Sequence, residues 1–264
     1  MRIERQPFVW PGGARAAVSF SFDDARASQL DRGIPILDAH GVRATFYVSL
    51  DNVRARQAEW RRVAASGHEI GNHSLHHPCS ANFPWSRAHA LEDYCLDRME
   101  AELLAANAAI EEMLRVRPQT FAYPCGQTFG GRGEGAASYV PLVARRFVVG
   151  RHAFDEVHND PLYCDLAQAA SRDLDCADLT HAMRLLDAAV ADGGWLIFMS
   201  HDVAPSGAQA TRPDVLEALC RRVTDAASGL WVDKVAAVGG YIRDARAEAV
   251  SSAGRRVSRR DTRT

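Results

Sequence analysis

Short apolar runs rich in β-branched and aromatic residues alternate with stretches whose apolar positions recur every three or four residues. The runs at 17–22, 44–48, 68–73, 119–123, 147–151 and 195–200 predict strands, with a weaker one around 172–175 and a last one at 230–232. The spacing between them predicts helices over 28–40, 53–66, 89–114, 180–191 and 213–227, and a terminal helix after the last strand. In the longest of these, Leu96, Met99, Leu103, Ile110 and Met113 form one stripe, which is a packing face and requires no cofactor. Pro124 and Gly126 stop the fourth strand. The Gly-rich segment 130–135 has neither a Walker lysine nor a dinucleotide fingerprint, so it reads as a loop and not a phosphate cradle. Seven or eight strand–helix units without an internal repeat or linker predict an α/β fold: one (β/α) barrel, regular or distorted, over residues 1–248.

Composition narrows the partners. The 264 residues carry a formal net charge of −2, so no global basic field draws the chain to nucleic acid. No stretch approaches the roughly 20 apolar residues of a membrane-spanning helix, and none of the first residues builds an apolar leader, which predicts a cytoplasmic protein without a membrane partner. Residues 249–264 hold five Arg among Ser and Thr with no apolar period and predict a basic, solvated, disordered tail. The six cysteines (Cys79, Cys95, Cys125, Cys164, Cys176 and Cys220) show no CxxC spacing and are expected to be reduced and structural.

The polar residues fall in a telling place. Asp23-Asp24, His73, Pro124-Cys125-Gly126 and His201-Asp202 each follow directly on a predicted strand. Asp and Asn often serve only as turn formers or caps. Four such clusters together at the carboxyl ends of parallel strands point instead to the rim where barrels assemble catalytic groups. Three imidazoles lie within five residues, His73, His76 and His77; were the segment helical, either His73 and His77 or His73 and His76 would share a face and could hold one cation. Strand alternation would send Asp23 and Asp24 in different directions, one as a ligand and one as a proton acceptor, with His201 as an acid across the mouth. A nucleophilic role for Cys125 is disfavoured by its frame between Pro124 and Gly126, which suits a backbone role. Two imidazoles and one carboxylate also match the ligands of non-haem iron oxygenases, but Asp preceding His-x-x-x-His on a later strand argues against that chemistry.

Taken in order, Phe22 to Ala25, His73-Ser74 to His77, Phe121 to Gly126 and Leu196 to Asp202 resemble successive motifs of the polysaccharide deacetylase family, the NodB-homology domain of carbohydrate esterase family four. The resemblance spans about 15–242 and implies a distorted (β/α) barrel that removes N-acetyl groups from an amino sugar, oligosaccharide or polysaccharide, with metal-bound water as nucleophile. It implies Asp24, His73 and His77 as ligands of a divalent metal, Zn²⁺ before Co²⁺, Ni²⁺ or Fe²⁺, Asp23 as general base and His201 as general acid. His76 is left without a role. Tyr123, Pro124, Cys125 and Gly126 would form the oxyanion and substrate side, with the Cys125 N–H as donor, and Met199 would line the acetyl pocket. The chain departs from the family pattern in three places: Ala122 stands where an Arg orients the catalytic Asp, Cys125 replaces a Tyr, and no Asp-Trp pair is evident. Arg132 or Arg151 could return the missing charge, with Asp175 and Asp202 as further supporting groups; Asp173 and Asp175 are the nearest counterparts of the Asp-Trp motif. These departures leave two other readings, a hydrolase of a non-carbohydrate amide or cyclic ureide, and an inactive sugar-binding relative.

Overall fold

Eight parallel strands make one curled sheet: β1 (Ala16–Asp23), β2 (Thr45–Val48), β3 (Glu69–Asn72), β4 (Thr120–Ala122), β5 (Val149–Arg151), β6 (Arg172–Asp173), β7 (Trp195–Ser200) and β8 (Leu230–Val232). Their order is β5-β4-β3-β2-β1-β7-β6, with β8 paired to the first half of β1. An isolated parallel bridge between Arg151 and Ala169 ties β5 to the approach to β6, so the sheet curls round as a distorted barrel. The computed structural model describes residues 7–261, with side chains through 251. The helices are α1 (Ile34–Ala39), α2 (Leu50–Ala55), α3 (Gln57–Ala65), α4 (Leu96–Leu114), α5 (Val140–Arg146), α6 (Leu179–Asp192), α7 (Pro213–Thr224) and α8 (Val235–Asp261).

Every position of β1 and β7 is buried, as expected of parallel strands covered on both faces. Val18, Phe20 and Phe22 pack with Phe46, Phe198 and Leu216 under the helices, whereas Ala17 packs with Trp195, Ile197 and Val149 on the opposite face. Ser19 and Ser21 share the parity of Ala17 and find partners: Trp195 Nε1 donates to Ser19 Oγ at 3.0 Å, and Ser21 Oγ donates to the Phe198 carbonyl at 2.8 Å. Asp23 continues that parity at the carboxyl end of β1. Between β2 and β3, a Cβ at Gly71 would sit 2.5 Å from the Tyr47 ring, so only glycine lets that ring lie across the sheet.

Several expected elements are refined. The 28–40 segment starts as a π turn (Gln29–Gly33) before α1, and 53–66 divides at Arg56 into α2 and α3. Helix α4 begins only at Leu96, because Pro84–His89 and Leu91–Asp93 form 3₁₀ turns. The stretch after β3 is not helical: Ser74 and His77 adopt φ of +67° and +52°. The expectation of reduced cysteines is overturned for one pair, since Cys79 and Cys125 form a disulfide. Cys79 and Cys125 are 46 residues apart in sequence and meet because β3 and β4 are neighbours, a pairing no spacing rule shows. Cys95, Cys164, Cys176 and Cys220 are free. Helix α8 runs through most of the segment expected as a solvated tail; side chains from 252 on and residues 262–264 lie outside the described residues. No helix among the described residues is long and apolar enough to cross a membrane.

Candidate active site

The carboxyl ends of β1, β3, β4 and β7 converge on a cavity of about 520 Å³ lined by Asp23, Asp24, His73, His77, Met199 and His201, with Tyr123 and Cys125 on one wall. A larger cleft of about 640 Å³ beside Phe8 and Trp10 contains none of the motif residues, so size alone would not have located the site.

Asp24 Oδ1 stands 3.8 Å from His73 Nε2 and 3.9 Å from His77 Nε2, and the three ligand atoms lie within 4.8 Å of one another. Two ligands bound at about 2.0–2.2 Å to one ion can stand up to about 4 Å apart, so this donor set fits a divalent cation of the zinc type. The protonation states agree with that chemistry. His73 Nδ1–H donates to the Ala122 carbonyl at 3.0 Å, which leaves the Nε2 lone pair facing the cluster. Burial and the neighbouring His73 push the His77 imidazole down to about 4, so it is neutral near pH 7. Burial works against the Asp24 carboxylate, but His73, His77 and Arg26 outweigh it and hold its pKa at about 2. Local backbone chemistry makes the loop: Ser74 N–H donates to Asn72 Oδ1 at 2.6 Å, and His77 N–H donates to Ser74 Oγ at 2.9 Å. A tight left-handed turn thus brings the two rings to 4.7 Å between centroids without the helix that i, i+4 spacing suggested.

Asp23 is buried and faces Arg151, whose Nη2 donates to both carboxylate oxygens at 2.6 Å. Burial favours the neutral acid, yet Arg151, His73 and His201 together hold the Asp23 pKa below the ordinary value. Arg151 is itself fully buried; its Nη1 donates to the His152 carbonyl and Ser171 Oγ, and its guanidinium carbon sits 5.0 Å from the centre of the Tyr47 ring. Across the mouth, His201 Nδ1–H donates to Asp175 Oδ2 at 2.6 Å. Burial disfavours the His201 imidazolium, but the bond to Asp175 and the charges of Asp23, Asp175 and Asp24 prevail and raise its pKa.

Of the two candidate arginines, Arg151 reaches Asp23, whereas Arg132 pairs with Asp93 on the exposed surface. Arg151 is the register partner of Ala122 across the β4–β5 pair, so the guanidinium enters one strand away from the position the family pattern uses. Asp175 partners His201. Asp202 instead faces away to Arg26 Nη1 at 2.7 Å and Ser28 Oγ at 2.6 Å. Cys125 (φ +54°) and Gly126 (φ +67°) make a left-handed turn at the end of β4; Cys125 and Tyr123 line the cavity, whereas Gly126 lines a neighbouring cleft and Pro124 is buried behind. The Tyr123 hydroxyl is turned away, donating to the Ala167 carbonyl at 2.6 Å. His76 lies outside the cluster, bonded to Glu102 and stacked on His89.

Sequence reasoning missed five contributors. Arg26 donates to Asp24 Oδ2 at 3.0 Å, the oxygen turned away from the two imidazoles, and also to Asp202 and Gln209. Buried Gln29 donates through Nε2 to the carbonyls of both Asp23 (2.6 Å) and His201 (2.8 Å), clasping the ends of β1 and β7. Phe83, Trp85 and Phe154 line the mouth. Nothing in the sequence marks these residues, because each acts through strand order and loop position.

The polysaccharide deacetylase family model matches residues 12–132. The uncharacterized protein YlxY of Bacillus subtilis is 34% identical over 125 residues, 47% of this chain and 36% of that protein, so the chain spans little more than a third of this curated relative. A putative polysaccharide deacetylase from Mycobacterium smegmatis superposes with a TM-score of 0.65 at 18% identity, covering 91% of this chain and 94% of that one. A family 4 acetyl xylan esterase from Clostridium thermocellum, solved with a cobalt ion, superposes with a TM-score of 0.55 at 20% identity, covering 84% and 89%. The motifs in order along the strands, the family model matched over residues 12–132 and the shared barrel thus make the chain similar to polysaccharide deacetylases.

Proposed function

We propose that the chain is a divalent-metal-dependent hydrolase that removes N-acetyl groups from an amino sugar or its oligomers. The observation that carries this reading is the convergence of Asp24, His73 and His77 between a charge-held carboxylate, Asp23, and a raised-pKa imidazole, His201. When bound at the first three residues, a divalent cation supplies Lewis acidity to polarise an acetamide carbonyl and to acidify water. Asp23, kept ionised by Arg151, takes a proton from the attacking water at its carboxylate. His201, with Nδ1 committed to Asp175, presents Nε2–H to the nitrogen of the departing amine, which leaves poorly unless protonated. The turn at Cys125 offers a backbone N–H on the oxyanion side. Met199 lines the space for the acetyl methyl. Trp85 and Phe154, about 60% exposed at the mouth, offer ring faces to the apolar face of a sugar.

The test is acetate release from N-acetylglucosamine oligomers by the protein loaded with Zn²⁺ or Co²⁺ and by the chelated protein. Release that needs the added metal and disappears in Asp24→Ala and His73→Ala is the expected result. Equal release by those variants would end the proposal, as would hydrolysis confined to non-carbohydrate amides.

A further inference from the structure

The Cys79–Cys125 disulfide joins the two loops that matter most. Cys79 lies two residues beyond His77, and Cys125 sits on the turn that lines the cavity opposite it. His77 stands between two sets of donors: its Nε2 faces Asp24, and its Nδ1 lies 3.7 Å from Cys79 Sγ. The ligand atoms of His77, Cys79 and Cys125 all fall within 4.8 Å of one another. A tetrahedral ion with sulfur at about 2.3 Å and nitrogen at about 2.0–2.1 Å sets those two ligands about 3.6 Å apart, close to the distance already present. In the disulfide the sulfur lone pairs are poor donors. Two thiolates beside an imidazole nitrogen are a set that zinc-type and softer ions favour.

We propose that reducing the Cys79–Cys125 bond creates a second, thiolate-rich metal site at Cys79, Cys125 and His77 Nδ1, which competes with the Asp24–His73–His77 site for the same imidazole. A dithiol reductant supplies the two electrons: the S–S bond breaks, two thiols form, and the dithiol closes to its own disulfide. Both thiols pass their protons to solvent on binding the cation. The exclusion follows from the imidazole. Neutral His77 has one lone pair, at Nε2 when Nδ1 carries the proton and at Nδ1 when Nε2 does. It therefore serves one site or the other. The oxidised protein keeps the Nε2 donor for the proposed hydrolytic site, and the reduced protein holding a soft cation withdraws it. The competition rests on the function proposed above, but the sulfur site stands on its own geometry and is read without any substrate.

The full chain is reduced with dithiothreitol, desalted without air and titrated with Co²⁺ alone, following thiolate-to-cobalt charge-transfer absorption in the near ultraviolet. The expected result is a band in the reduced protein that is absent from the oxidised protein, is lost in Cys79→Ser and in Cys125→Ser, and persists in Cys220→Ser. X-ray absorption at the cobalt edge of the reduced unmutated chain should count two sulfur neighbours, which decides the point even where a variant fails to fold. No band on reduction, a band that survives Cys79→Ser in a folded protein, or a cobalt shell without sulfur would overturn the site. If the sulfur shell is present and reduced, cobalt-loaded protein hydrolyses as fast as oxidised protein, the competition for His77 is refuted while the site stands.

Discussion

The two halves of the barrel contribute to the site in different ways. The first half, up to the turn at Cys125, places Asp23, Asp24, His73 and His77 at strand ends through short motifs that act locally; the family model covers this half. The second half supplies Arg151 on β5 against Asp23 and the pair formed by Asp175 after β6 and His201 at the end of β7. The first half thus brings its candidate donors together and holds the Asp24 charge through His73, His77 and Arg26, whereas the second supplies the cation that keeps Asp23 ionised and the carboxylate that raises the His201 pKa. The difference teaches that residues set in order by short motifs can draw their partner charges from distant strands, provided the register brings both to the same point in space.

That division can be tested by weakening the second half step by step. His201→Ala should have the largest effect, lowering kcat for acetate release by roughly 10²–10⁴-fold while leaving cobalt binding by the oxidised protein unchanged. Arg151→Met comes next. It leaves a buried Asp23 carboxylate without its partner and should cost about 3–5 kcal/mol in thermal or urea unfolding, with the acid limb of the rate moving to higher pH as Asp23 loses the charge that holds its pKa down. Adding Ala122→Arg to Arg151→Ala moves the guanidinium to the register partner and should restore part of the activity; no recovery would break the equivalence of the two strand positions.

Asp175→Asn should act more gently and on pH dependence. His201 has a raised pKa, so its protonated form persists below that value and is lost as pH rises through it. Removing the Asp175 charge lowers that pKa, and the alkaline fall in the rate should begin at lower pH, measured as the descending limb of kcat against pH. The smallest effect is expected of Arg132→Ala. Its guanidinium lies exposed against Asp93, and its loss should leave both the unfolding midpoint and the rate of the unmutated chain unchanged.

Much of the fold was legible because parallel strands buried on both faces leave continuous apolar runs: β7 and β8 occupy the residues the pattern predicts, and β1 differs by one residue at each end. The polar residues of the candidate site were legible for a related reason, since polar residues ending such runs stand at the barrel mouth whatever the loops do. The helical arrangement under which His73 and His77 would share a face does not form after β3. Asn72 and Ser74 side chains capture the backbone N–H groups of Ser74 and His77, and the resulting turn brings the imidazoles together by another route. Gln29 and Arg26 were invisible because a polar residue in a loop or at a helix start looks the same in sequence whether it faces water or bonds the ends of distant strands.

By itself the sequence determined the alternation of strands and helices, and the order of Asp24, His73, His77 and His201 along it, since both follow from short-range pattern and chirality. Only the tertiary structure decided that Arg151 rather than Arg132 reaches Asp23, that Asp175 rather than Asp202 orients His201, and that Cys79 meets Cys125. Those three pairings depend on strand order and register, through which residues 128, 26 and 46 positions apart become neighbours, and separation along the chain does not encode such distances.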